Sequence, residues 1–207
     1  MKKKFNISVI SIIFFVVGIS IIYISLFNIV QYSIAYKSSE KLTSFYVREP
    51  LRFKIYGHSF KDELNTISAR FEILDRTGQE ITAIERSWTG SYLAVEFINV
   101  HLNSKDYIFP YNIYGKEKIF EKNKIQKKGS KLAKYYIDDN ECLLFGKFAS
   151  EKLRKYLYRI YVISNPEFPL LKFGNTSKIT IDLSNCIPDK YYSIIMNEKG
   201  EFSIAGY

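Results

Sequence analysis

The sequence predicts a mainly β protein, with one N-terminal transmembrane helix followed by an antiparallel β-sandwich-like domain. Three observations predict it. Phe5 to Tyr36 hold no charged residue over 32 positions. Most later segments alternate apolar and polar residues with period two, the mark of a strand with one buried face. Turn signals such as Asp75-Arg76-Thr77-Gly78 and Asn197-Glu198-Lys199-Gly200 recur between those segments.

The apolar stretch comes first. Its centre, Ile7 to Val30, is dense in Ile, Val, Phe and Leu. About 20 such residues cross a bilayer core of ~30 Å at ~1.5 Å rise per residue. Residues 1–36 are therefore expected to form a basic tip and an anchor, with the span over about 7–30. Residues 37–50 read as a juxtamembrane linker and 51–207 as one β-rich domain. Lys2, Lys3 and Lys4 abut the span on one side; Lys37, Lys41 and Arg48 on the other are diluted by Glu40 and Glu49. Cytoplasmic flanks collect Lys and Arg, so the expected orientation in the cell (inner) membrane is N-terminus cytoplasmic, domain outside. The alternative is a cleaved secretion signal, whose apolar region is typically about 7–15 residues. Here it is much longer, and the nearest small-x-small site, Ser33-Ile34-Ala35, lies late. An uncleaved anchor is the preferred reading.

The strands follow. Leu51, Phe53 and Ile55 alternate with Arg52, Lys54 and Tyr56; Ile67, Ala69, Phe71 and Ile73 alternate with Ser68, Arg70 and Glu72. With the turn at 75–78, the second run and the one toward Trp88 read as a hairpin. Thr89-Gly90-Ser91 is the next turn. Leu93, Val95 and Phe97 then change phase to Ile98, Val100 and Leu102, which predicts a bulge or a change of sheet. Pro110 removes a ladder donor and places its strand at an edge. Tyr156 to Ile163 reads as β-rich, with a short helix near 148–157, capped by Ser150, as the alternative. Ile179, Ile181 and Leu183 form a further alternating run, and 192–204 a terminal hairpin.

The chain has 207 residues and a formal net charge of +9. Residues 116–134 carry eight lysines against two glutamates. The rest of the exported part is then neutral, and the basicity is one local insertion. Its patch, Lys122, Lys124, Lys127, Lys128, Lys131 and Lys134, reads as a solvated loop, with anionic lipid as a second reading. No arginine and one aromatic, Phe120, lie within it, so nucleic acid is not an expected partner.

Chemistry-bearing residues are few. Two Cys and two His exclude a disulfide scaffold and a standard zinc knuckle or ribbon. No nucleophile elbow, zincin motif, Walker loop or dinucleotide loop occurs, so no metal or cofactor is assigned. Asp138-Asp139-Asn140-Glu141 lacks the glycine of a calcium loop. Cys142 and Cys186 admit a disulfide outside the cytoplasm, or two small buried side chains. Asn175-Thr176-Ser177 fits a glycosylation triplet. Trp88 and Tyr92 flank a turn, where exposed rings could stack on sugars or anchor a partner, or else close the end of a core. The expectation is a membrane-anchored, non-enzymatic binding or assembly domain, acting with an envelope protein or a second copy. The alternatives are an envelope hydrolase whose site, built around His58 or His101, is assembled in space, and a secreted β-domain on an anionic surface or polymer.

Overall fold

The alternating segments pair into two antiparallel sheets that share one core. The computed structural model describes residues 3–61, 64–117, 129–165, 176–197 and 199–207, with the backbone alone for 3–10, 60, 61 and 64. Helix α1 is Lys3–Glu40; strands β1 to β5 are Leu51–Lys61, Leu64–Leu74, Glu80–Thr89, Tyr92–Leu102 and Lys105–Lys116. Then come β6 (Ser130–Lys131), α2 (Ala133–Tyr136), β7 (Ile137–Asp138), β8 (Glu141–Cys142), a single 3-10 turn at Leu143–Phe145 and α3 (Glu151–Ser164). The chain closes with β9 (Thr176–Asp182), β10 (Tyr191–Met196) and β11 (Phe202–Gly206). One sheet has the order β11-β10-β1-β2-β3 and the other β6-β5-β4-β9, while β7 and β8 form a separate small hairpin.

The inward residues of both sheets make the core. Phe53 stacks between Phe71 and Tyr192, at centroid distances of 5.2 and 5.5 Å. Phe71 meets the edge of Trp88 at 5.6 Å, and across the two sheets Phe97 packs on Phe202 at 4.5 Å. The expected phase change is a bulge between Glu96 and Phe97. β5 is not the edge strand the proline suggests, since it lies between β6 and β4; Pro110 pairs with Phe97, and among the described residues the pairing on the other side of β5 is at Asn112 and Ile113 by β6 and at Tyr107 by a bridge from Phe45. The proline thus sits where no donor is required.

Two expectations change. Residues 156–163 are helical, not extended, because Leu157, Ile160, Tyr161 and Ser164 bury at helical spacing. Ser150 stands at the start of α3, but its side chain makes no capping bond. Residues 37–50 are not a free linker either: α1 runs on to Glu40, and Leu42, Phe45 and Val47 are core residues.

α1 has two parts with different surroundings. From Ile12 to Val30, fourteen large apolar side chains are exposed all round the helix. Leaving them in water would cost on the order of 20 kcal/mol. That stretch is ~28 Å long at ~1.5 Å per residue, close to the ~30 Å hydrocarbon core. The helix is long and apolar enough to cross a membrane. Asn28, within that stretch, and Tyr32, Ala35 and Ser39 beyond it turn one face, at spacings of four, three and four, toward the domain, where α3 packs along α1.

The end of α1 is fastened by charge and by backbone. The Lys105 ammonium donates to the carbonyls of Ser39 and Leu42, at 2.8 and 2.6 Å, satisfying helix-end acceptors and complementing the dipole. The Tyr107 hydroxyl also donates to Ser39, at 3.3 Å. Phe45 then exchanges backbone bonds with Asp106 and Ile108 at the edge of β5. Lys105→Met should therefore cost about 1.5–3 kcal/mol, read as a lower thermal midpoint of the full chain in detergent. An unchanged midpoint would mean that α1 is held mainly elsewhere.

Candidate functional site

The outer face of the five-stranded sheet gathers side chains that are far apart in sequence. Register sets one row across all five strands. Lys54 lies opposite Tyr191 on one side and Arg70 on the other, and Arg70 lies opposite Glu85. Tyr207 extends the row beyond β11, its N–H donating to the Tyr191 carbonyl at 3.0 Å. The row reads Tyr207, Tyr191, Lys54, Arg70, Glu85. Tyr56 stands beside it: the Lys54 ammonium is 5.8 Å from the Tyr56 ring centroid and 5.5 Å from that of Tyr191. Tyr207, Tyr191 and Tyr56 are 69 %, 50 % and 37 % exposed.

The polar side chains of this face hold one another in place. The Arg52 guanidinium reaches Glu49 at 3.1 Å and Glu72 at 3.8 Å. Arg70 meets Glu72 at 3.2 Å, and Lys54 meets Asp189 at 3.3 Å. Ser193 donates to Glu49, and the Tyr207 hydroxyl donates to Ser193 at 2.8 Å. Loss of solvent, together with a hydrogen bond to the Glu85 carboxylate, holds the Tyr56 hydroxyl above the usual phenol range. Three cations thus interleave with four carboxylates. Such partly exposed pairs add little stability; their effect here is to immobilise donors and acceptors beside the tyrosine rings.

The residues singled out in the sequence lie elsewhere. Trp88 is only 5 % exposed, and its indole N–H donates to Ser130 at 2.9 Å. It closes the core and offers no free face, which corrects the exposed-pair expectation for that residue. Tyr92 is half-buried on β4, with the Lys116 ammonium 6.0 Å from its ring. Burial, then the Asp182 carboxylate, raises its hydroxyl above the usual range. Of the lysine patch, Lys122, Lys124, Lys127 and Lys128 lie outside the described residues. Lys131 stands 3.9 Å from the Tyr111 ring centroid and Lys134 4.8 Å from that of Tyr135. Asn175 also lies outside the described residues.

His101 is 3.1 Å from Asp106, but both are more than half exposed. His58 is exposed on β1. Neither lines the open hollow of about 280 Å³ between α2 and α3, whose walls include Lys134, Tyr158, Tyr161 and Asn165. Among the described residues no group of three His, Cys, Asp or Glu could hold a metal ion. The acidic run 138–141 forms the tight turn of β7–β8, with Asp139 and Asn140 at positive φ, and Glu141 is engaged by Arg154 at 2.6 Å.

Cys142 and Cys186 are free thiols in the structure, the first buried and the second partly so. Burial pushes Cys142 far up and Cys186 up to about 11. Burial likewise pushes Tyr107 up to about 12, against a lowering by its Ser39 bond. These groups are neutral in the folded chain while the unfolded chain already ionises them near 9.0 and 10.0. Their contribution is complete below those values and is lost as pH rises through the folded ones. The thermal midpoint should accordingly fall above about pH 9, and Tyr107→Phe should fall less steeply than the parent between about pH 10 and 12. Parallel curves would show that Tyr107 does not contribute.

Comparison with family models, with curated proteins and with solved structures finds no match for this chain.

Proposed function

We propose that the chain is a single-pass membrane protein, cytoplasmic at its first residues, that presents a non-enzymatic binding domain outside the cytoplasm. The binding surface is the outer face of the five-stranded sheet. The carrying observation is the row of exposed tyrosines beside immobilised arginine, lysine and glutamate side chains. Tyr and Arg dominate recognition surfaces because they present large contact area with directed polar groups. The exposed apolar length of α1 and the basic tip before it support the anchor and its orientation. The built-in end of α1 supports a domain held in one orientation at the membrane.

A photo-crosslinking amino acid in place of Tyr191, in intact cells, tests the reading. It should give discrete adducts that the same group at Phe148 does not; Phe148 is 88 % exposed and lies off this face, just before α3. No adduct at 191, or the same adducts at both positions, would overturn it.

A further inference from the structure

We infer that the tyrosine row receives an extended, uncharged glycan chain; this rests on the reading of that face as the binding surface. Four features select the ligand. The first is flatness. The face is one layer of five hydrogen-bonded strands, whereas small-molecule sites bury most of their ligand in a concavity. A ligand here must gain its contact by length.

The second is the line of rings. Tyr207, Tyr191 and Tyr56 are exposed, and exposed rings take up the apolar C–H surfaces of sugars; here the Tyr207 and Tyr56 hydroxyls are already fixed by Ser193 and Glu85. The three rings stand at β11, β10 and β1, adjacent strands ~4.8 Å apart, so they span ~10 Å, and the polar side chains of Lys54, Arg70 and Glu85 continue the row for ~10 Å more.

The third is the pattern of polar groups. A sugar hydroxyl both donates and accepts. Arg52 and Arg70 supply fixed donors and Glu72 and Glu85 fixed acceptors: the first three are ordered by their mutual contacts and Glu85 by its bond with Tyr56. Ordered partners reduce the entropy lost on binding.

The fourth is charge. Arg52, Lys54 and Arg70 are interleaved with Glu49, Glu72, Glu85 and Asp189. A polyanion drawn to the three cations would meet four carboxylates, so nucleic acid, acidic polysaccharide and anionic lipid are all disfavoured. The lysines at 116–134 take no part in this argument.

The test uses the full chain in detergent and three probes: β-1,4-linked hexasaccharides of glucose and of N-acetylglucosamine, and heparin as a sulfated polyanion. Titration calorimetry should show a hexasaccharide bound with a Kd below about 1 mM. Tyr191→Ala and Tyr56→Ala should each weaken it by at least about tenfold, with thermal midpoints close to the parent's. Tyr207→Ala, just past β11, should weaken it as well.

The inference is overturned if the parent binds neither hexasaccharide, or if all three folded variants bind as the parent does. Heparin binding lost in the same variants would overturn the charge argument and with it the uncharged ligand. Crosslinking at Tyr191 to a protein, with no hexasaccharide bound, would overturn the glycan while leaving the binding face standing.

Discussion

Replacing Gly115 with alanine is expected to cost more than about 4 kcal/mol and to leave little folded protein. Gly115 lies at the end of β5, directly under the corner where the chain passes from β3 in one sheet to β4 in the other. A Cβ there would stand 2.0 Å from the Thr89 carbonyl oxygen and 2.7 Å from its carbon. Both obstacles are backbone, so no side-chain rotation relieves them. Gly90 faces the same contact: its own Cβ would stand 2.7 Å from the Gly115 carbon, and its φ of +149° is a conformation that favours glycine. The corner is pinned on both sides, since Gly90 N–H donates to Asn65 and Ser91 N–H to Lys116. Separating the sheets at this point would open the core over Leu93 and Trp88. Yield, protease resistance and thermal midpoint of the variant measure the effect. A midpoint within about 2 °C of the parent would mean that the two backbones do not approach as described.

Phe71→Ala is expected to cost about 3–5 kcal/mol. Phe71 is fully buried and central on β2, stacked on Phe53 and edge-on to Trp88. Its removal deletes two aromatic contacts and leaves a cavity that the paired strands on either side cannot collapse into. For a domain of this size the loss corresponds to a fall in midpoint of about 10 °C. Because Arg70 and Glu72 flank it on the opposite face, the variant should also lose the order of the outer row. Phe71→Leu, which refills most of the volume, should recover over half of the loss. Equal midpoints for the alanine variant and the parent would contradict the packing of the two sheets around this ring.

Much of the fold was legible because period-two alternation survives into the structure almost unchanged. Leu51, Phe53 and Ile55 face inward as the pattern requires, and the turn at Asp75 closes through carboxylate bonds to Thr77 and Gln79. The helix at 151–164 was obscured by composition: Tyr, Ile and Val suit a strand, but tertiary packing decided otherwise, with Leu157, Ile160 and Tyr161 in the core, α3 lying against α1 and β8, and Tyr161 meeting the Phe109 ring. The continuation of α1 into the domain had a readable sign, the four-three-four spacing of Asn28, Tyr32, Ala35 and Ser39, masked by the apolar run before it.

The candidate site was much less legible. Arg52, Lys54 and Tyr56 could be placed on an outer face from alternation alone. That they align with Tyr191 and Tyr207 depends on β10 pairing with β1 across more than 130 residues of chain, and no local signal carries that register. Trp88 failed as a site for a related reason. A turn-flanking position says nothing about what a later segment lays over it, and here Ser130 does so.

The central claim is an anchored domain on the outer side of the membrane, and labelling tests it most directly. Phe148→Cys, with Cys186 replaced by serine, is treated with a membrane-impermeant maleimide in intact spheroplasts. Cys142 is buried and stays silent. The account predicts full labelling of a full-length, membrane-bound chain before the membrane is opened. Labelling that develops only after opening would place the domain on the cytoplasmic side and contradict it.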